Sequence, residues 1–255
     1  MTEGPVVLTV SPGGFPGLAE RLRRLPVVVE EHPLLTFAPP HDWAPVDRAL
    51  HELQRFEALA FTSPRAAAAF VLRHAEVGGR SHRRHSDLPS LWSGGPGTEA
   101  ALGALGRPVH RASDEAIGRL GAGAALAAAM IEGRIVGPVL FPCGEIRRDA
   151  LPTRLRREGI DVTEVVCYRS VLADEAAARA AVERAGIMVV ASPSVADLVT
   201  RAAKGAWPRL LAVGPTTAAA ARAAGWTPAA VASAPDVDAL VAGVRSLLSP
   251  GGANR

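Results

Sequence analysis

Several short strings in this sequence place hydroxyls, glycine and arginine where a strand should give way to a helix, the arrangement that anion capture requires. In Phe61-Thr62-Ser63-Pro64-Arg65 the serine can cap a helix start, and the proline needs no backbone donor in the first turn. The free amides and the helix dipole then favour negative charge, and Arg65 adds a planar fork suited to carboxylate. Ser192-Pro193-Ser194 offers the same geometry later in the chain. Gly214-Pro215-Thr216-Thr217 lets the backbone approach a ligand and sets two hydroxyls beside a helix start, with Gly95-Pro96-Gly97-Thr98 as its counterpart. Neither has the lysine or the spacing of a nucleotide P-loop. Each of these turns also reads as a plain cap with no ligand, and sequence alone leaves both readings standing.

Tyr168 is the sole tyrosine, in Val166-Cys167-Tyr168-Arg169-Ser170. A phenol with an ordinary pKa near ~10 is protonated at neutral pH and can donate to a leaving oxygen. Its role depends on whether it borders a cleft, since a lone tyrosine otherwise packs. Leu140-Phe141-Pro142-Cys143-Gly144-Glu145 closes a strand, with Asp149 placed to cap the helix that follows. A nucleophilic cysteine needs a base, no histidine pairs with Cys143, and a packed thiol is the stronger reading. His82 and His85 lie in the polar stretch 80–90 without a cluster that would hold a metal, and they read as solvated loop residues.

The elements that must position these residues follow a repeating unit: a short apolar strand, a turn rich in Gly, Ser or Pro, and an alanine- or arginine-rich helix. Strands at 6–10, 56–61, 139–141, 188–191 and 210–213 lead into helices at 15–24, 64–73, 149–158, 193–202 and 217–224. Such alternation predicts an α/β fold with parallel sheets and helical crossovers. Gly159 and Gly225 follow helical runs as C-terminal caps. An internal repeat sharpens the expectation, because Gly95/Gly214, Pro96/Pro215, Thr98/Thr217 and Gly106/Gly225 share one offset. Thr62-Ser63-Pro64-Arg65 likewise echoes Ala191-Ser192-Pro193-Ser194, and Arg21-Leu22-Arg23-Arg24 echoes Arg154-Leu155-Arg156-Arg157. Extended segments near 31–40 and 165–172 are the linker candidates, and 250–255 reads as a frayed tail.

Composition narrows the function classes. The chain has 255 residues, a size that fits two moderate α/β domains. Its formal charge is +3, carried almost wholly by arginine because Lys204 is the only lysine. That charge permits an acidic ligand without demanding one. The two cysteines show no paired spacing and the start of the chain lacks a secretory pattern, so a reducing cytoplasm is the expected compartment. The apolar stretch 122–131 is alanine-rich and too short to span a bilayer, so no membrane is expected. With one Tyr, six Phe and four Trp, stacking platforms for nucleic acid are poorly supplied.

Taken in order, Phe-Thr-Ser-Pro-Arg, Gly…Thr, Leu-Phe-Pro-Cys-Gly, the tyrosine-bearing segment, Ser-Pro-Ser and Gly-Pro-Thr-Thr resemble the uroporphyrinogen-III synthase family over nearly the whole chain. The sequence departs from that family at 91–98, where Trp92-Ser93-Gly94 weakens an expected strand. The resemblance implies two similar α/β domains on a two-stranded linker, one of residues 1–36 and 172–255, the other of 40–166, with a ligand cleft between them. It implies a monomeric enzyme with no metal or organic cofactor. Its substrate is hydroxymethylbilane, a linear tetrapyrrole with eight carboxylates that is closed with inversion of ring D through a spiro intermediate. It also implies Tyr168 as the acid, with Ser63, Arg65, Thr98, Cys143, Gly144, Ser192, Ser194, Gly214, Thr216 and Thr217 around the substrate. Two rival readings remain: a non-catalytic ligand-sensing domain of the same fold, disfavoured by the lack of a DNA-binding segment after Leu248, and an unrelated two-domain binder of small anions.

Overall fold

In a computed structural model of the chain, residues 4–78, 88–205 and 207–248 are described. The histidine loop expected from 80 onward falls largely outside the described residues, as does the 250–255 tail. Two compact units emerge, one of Met1–Phe37 with Val171–Arg255 and one of Ala38–Ser170. The chain passes from one to the other twice.

The first unit holds strands β1 (Val6–Leu8), β2 (Val29–Glu31), β9 (Ile187–Val190), β10 (Arg209–Ala212) and β11 (Ala230–Val231). They form a parallel sheet in the order β11-β10-β9-β1-β2. Runs such as Val-Val-Leu and Ile-Met-Val-Val are apolar throughout because helices cover both faces, and a parallel strand buried on both sides has no need to alternate. On one face α8 (Glu175–Arg184) and α9 (Pro193–Ala203) pack with Val7, Met188, Val190 and Leu210. On the other, α1 (Leu18–Leu22) and α11 (Val237–Leu248) pack with Leu8, Val189 and Leu211. Helix α10 (Pro215–Ala223) follows β10.

The second sheet, most of it in the second unit, holds β4 (Ala58–Phe61), β5 (Ser90–Ser93), β6 (Val109–Arg111), β7 (Val139–Gly144) and β8 (Val162–Leu172), with β3 (Leu35–Ala38) at the edge in the order β3-β8-β7-β4-β5-β6. Helices α2 (Ala44–His51), α3 (Pro64–Gly78) and α4 (Pro96–Leu102) lie on one face, over Leu59, Phe61, Leu91 and Leu140. Helices α6 (Ala122–Glu132) and α7 (Ala150–Arg157) cover Ala58, Ala60, Val139 and Phe141 on the other, with α5 (Asp114–Leu120) leading into α6. The strand weakened in sequence by Trp92-Ser93-Gly94 does form as β5. Trp92 is buried over Gly133, where an added Cβ would stand 2.6 Å from its ring, and its indole N–H donates to Ser90 Oγ at 3.0 Å. One large side chain supplies the apolar surface that serine and glycine lack, and Ser93 beside it is buried as well.

The sequence repeat has a direct structural counterpart. Ser63 and Ser192 each end a central strand and cap the next helix, accepting from Ala66 N–H and Val195 N–H at the same 3.3 Å. Gly95 and Gly214 each precede a helix that opens on proline. Gly159 and Gly225 are left-handed caps with the paired carbonyl bonds of a helix terminus, from Gly159 and Ile160 to Arg156 and Leu155, and from Gly225 and Trp226 to Arg222 and Ala221. The expected cap at Asp149 differs: it occupies the position but its carboxylate accepts no helix amide.

Candidate active site

In each sheet a central strand has its chain neighbours on opposite sides. In the second unit β4 is followed on one side by β5 and β6, while β7 and β8, which come later in the chain, lie on its other side. Connections leaving β4 and β7 therefore diverge to opposite faces and leave a crevice at the carboxyl ends of these two strands, the place where open α/β sheets take ligands. The residues at that crevice are Thr62 and Ser63 after β4, and Cys143 and Gly144 closing β7.

Tyr168 reaches the same crevice from β8. The pairing of β7 with β8 is regular from Val139 to Cys143, then slips by one residue so that Gly144 faces Tyr168. Such a bulge re-aims the side chain that follows it. The Tyr168 phenol lies 3.4 Å from the Ser63 hydroxyl, a long hydrogen bond in which either can donate. The Arg65 guanidinium sits 5.9 Å from the centre of the Tyr168 ring, within cation–π range. Burial lowers the Arg65 pKa from its ordinary value and the Tyr168 phenol opposes that shift.

Tyr168, Ser63, Gly144 and Cys143 all border one cavity of about 490 Å³, contained within the second unit. Its far wall is the start of α6, with Gly121, Ala122, Gly123 and Ala124. No side chain caps that helix, so its first-turn amides present the positive end of the dipole to the cavity. Leu120 and Ile146, two of the few large apolar side chains left exposed, stand on the rim, and Arg148 adds a cation that forms no ion pair among the described residues. Its neighbour Arg147 is engaged with Glu164. This wall is silent in the sequence because alanine-rich 122–131 carries no polar side chain. The only signal was the pair Gly121 and Gly123 at a helix start.

The two thiols are inert. Cys143 is buried and directed at Val165 O, 3.6 Å away, and burial pushes its pKa up to about 12, as it does for Cys167. Neither is a thiolate at neutral pH, so thiol alkylation of the native protein should leave turnover unchanged within about twofold, the scatter of a rate assay. Loss of activity in step with alkylation of Cys143 would show the opposite.

Thr98 lies in the second unit and the Ser192–Ser194 and Gly214–Thr217 turns in the first. Ser192 and Ser194 hydroxyls are 2.8 Å apart at the start of α9. The Thr98 and Thr217 side chains are buried, so their turns can offer a ligand first-turn amides and, in the second copy, the exposed Thr216 hydroxyl. Gly95 and Gly214 have extended backbones, with φ of 170° and 178°. A Cβ added at either would meet nothing within 4 Å. Neither conformation nor crowding in the protein demands glycine there.

A parallel α/β protein with a phenol at its crevice and uncapped helix starts is a class with many members, and comparison with known proteins narrows it. The family model described as Uroporphyrinogen-III synthase HemD matches residues 17–242. The fold is similar to that of uroporphyrinogen-III synthetase from Helicobacter pylori, at 17% identity and a TM-score of 0.62 over 96% of this chain and 99% of that one. It is also similar to a mutant uroporphyrinogen III synthase from the extremely thermophilic bacterium Thermus thermophilus, at 16% identity and a TM-score of 0.60 over 96% and 98%. The chain belongs to the uroporphyrinogen-III synthase family. It is an enzyme of tetrapyrrole biosynthesis that cyclises the linear tetrapyrrole hydroxymethylbilane to uroporphyrinogen III. Among the described residues no helix is long and apolar enough to cross a membrane.

Proposed function

We propose that Tyr168 is the acid that starts the cyclisation, and that the crevice of the second unit holds the reacting end of the substrate. The observation carrying this reading is the Tyr168 phenol on the cavity wall, 3.4 Å from the Ser63 hydroxyl at the ends of β4 and β7. The phenol gives its proton to the hydroxymethyl oxygen, which leaves as water while the pyrrole nitrogen supplies the electrons, giving an azafulvenium carbon. Ring D attacks that carbon through its substituted α-position, forming the spiro intermediate. The bond from that position to the neighbouring methylene then breaks, and the freed methylene carbon is captured by the open α-position of ring D. The proton lost as ring D regains aromaticity restores the phenol, so only water leaves.

Unassisted closure joins the open α-position of ring D and gives the type I isomer, so the enzyme's work is chiefly to hold the substituted α-position nearer. Arg65, Cys143, Gly144 and the Thr98 turn serve on the second unit. Ser192, Ser194, Gly214, Thr216 and Thr217 offer carboxylate contacts on the first, largely through backbone amides. The working form in this reading is a cytoplasmic monomer that uses no nucleic acid, metal or organic cofactor. Purified protein with chelator should convert freshly made hydroxymethylbilane to the type III isomer, read by separating the isomers. Type I alone at the uncatalysed rate, with binding retained, would make the chain a ligand-sensing relative instead.

A further inference from the structure

Gly144 lies in strand backbone outside the left-handed region, so its conformation is open to any residue. What forbids a side chain there is Tyr168 itself. A Cβ on Gly144 would stand 2.6 Å from Tyr168 Cζ, 2.7 Å from its hydroxyl oxygen and 3.1 Å from Cε1, all closer than real Cβ contacts come. The three nearest atoms all belong to the reacting end of one ring. The strand on which Gly144 sits is also the one whose pairing slips at that residue, and Glu145 N–H holds Tyr168 O at 2.9 Å just beyond the slip. Glycine and bulge together let the phenol pass over the end of β7 at Gly144 and bring it to Ser63.

We infer that Gly144 is the positioning residue for the Tyr168 phenol: its missing side chain is the seat of the ring, and it sets where the proton is delivered. The inference rests on Tyr168 being the acid for its effect on turnover, but the placement of the ring stands apart from that. A methyl at this position leaves β7 a strand and moves the phenol out of line with Ser63. The substrate keeps its carboxylate contacts, so the loss falls on kcat and much less on KM.

Because Tyr168 is the only tyrosine, ring signals of isotopically labelled tyrosine and the tyrosinate absorbance on alkaline titration both report this phenol alone. Gly144→Ala should shift both, and lower kcat to within about threefold of the Tyr168→Phe value, a loss of about tenfold or more. Gly118→Ala, in a helix with open space around it, is the control and should move neither. In the Tyr168→Phe background Gly144→Ala should cost less than about twofold further, since a ring without a proton to give has nothing left to misplace. If Gly144→Ala folds poorly, Tyr168→Ala removes the obstructing ring, and the double variant should fold as well as Tyr168→Ala alone. Unchanged ring signals and titration in Gly144→Ala, fully additive losses in the double variant, or intolerance of alanine at 144 even without the ring would each overturn the inference. Tyr168→Phe at full turnover, with the ring signals still shifted by Gly144→Ala, would instead remove Tyr168 from the chemistry and leave its seat in place.

Discussion

Tyr168→Phe keeps the ring in its seat over Gly144 and removes only the proton donor, and it should lower turnover by about tenfold or more with the fold intact. General acids often contribute more than that, up to about 10⁴-fold. The figure is set low because a hydroxymethyl group on an electron-rich pyrrole departs with help from water once it is held. The Ser63 hydroxyl lies 3.4 Å from the phenol and is a second hydroxyl that can orient water at the leaving oxygen, which further limits the loss. KM should change little, since the phenol meets the substrate at its leaving oxygen and not at its carboxylates. The fraction of type III product should stay high, because the nearer carbon of ring D is chosen by how the chain is held. Single-turnover kinetics with isomer separation checks all three, and turnover equal to the parent's would remove Tyr168 from the mechanism.

The parts of this site that sequence made visible are those whose chemistry is local. Ser63-Pro64 and Ser192-Pro193 announce helix starts through capping and a missing donor, requirements met within four residues, and both are found as caps. Gly159 and Gly225 were legible for the same reason, since only glycine takes their left-handed backbone cheaply. The repeated Gly-Pro-Thr turns fixed the places of α4 and α10. What stayed hidden was long-range. The seating of Tyr168 on Gly144 depends on a register slip between β7 and β8, and nothing in either strand's own residues announces it. The α6 wall of the cavity is made of backbone amides in an alanine run, so its chemistry has no side-chain signature. Trp92-Ser93-Gly94 misleads in the opposite sense: serine and glycine weaken the strand in sequence, yet β5 forms with the tryptophan buried.

Gly214→Val should separate binding from folding at the turn most plainly marked by the repeat. The backbone there is extended and the space beside it empty, so the added side chain meets no protein atom. Stability should change by no more than about 0.5 kcal/mol, as for an ordinary surface substitution. The new isopropyl group would, however, stand beside the start of α10, whose N-cap carries no side-chain bond and whose first-turn amides are the proposed carboxylate contact. Hydrogen bonds to a charged group are worth about 1.5–3 kcal/mol each, and a tenfold change in affinity is about 1.4 kcal/mol. Screening one such contact should therefore weaken product binding by about tenfold to a hundredfold and raise KM alike, while kcat holds, because the contact serves substrate and transition state equally. Calorimetric binding of the product beside a thermal melt reads both quantities on one preparation. A variant that binds as the parent does would show that no carboxylate lies at this turn. One that loses stability along with binding would show that glycine is kept at 214 for the fold.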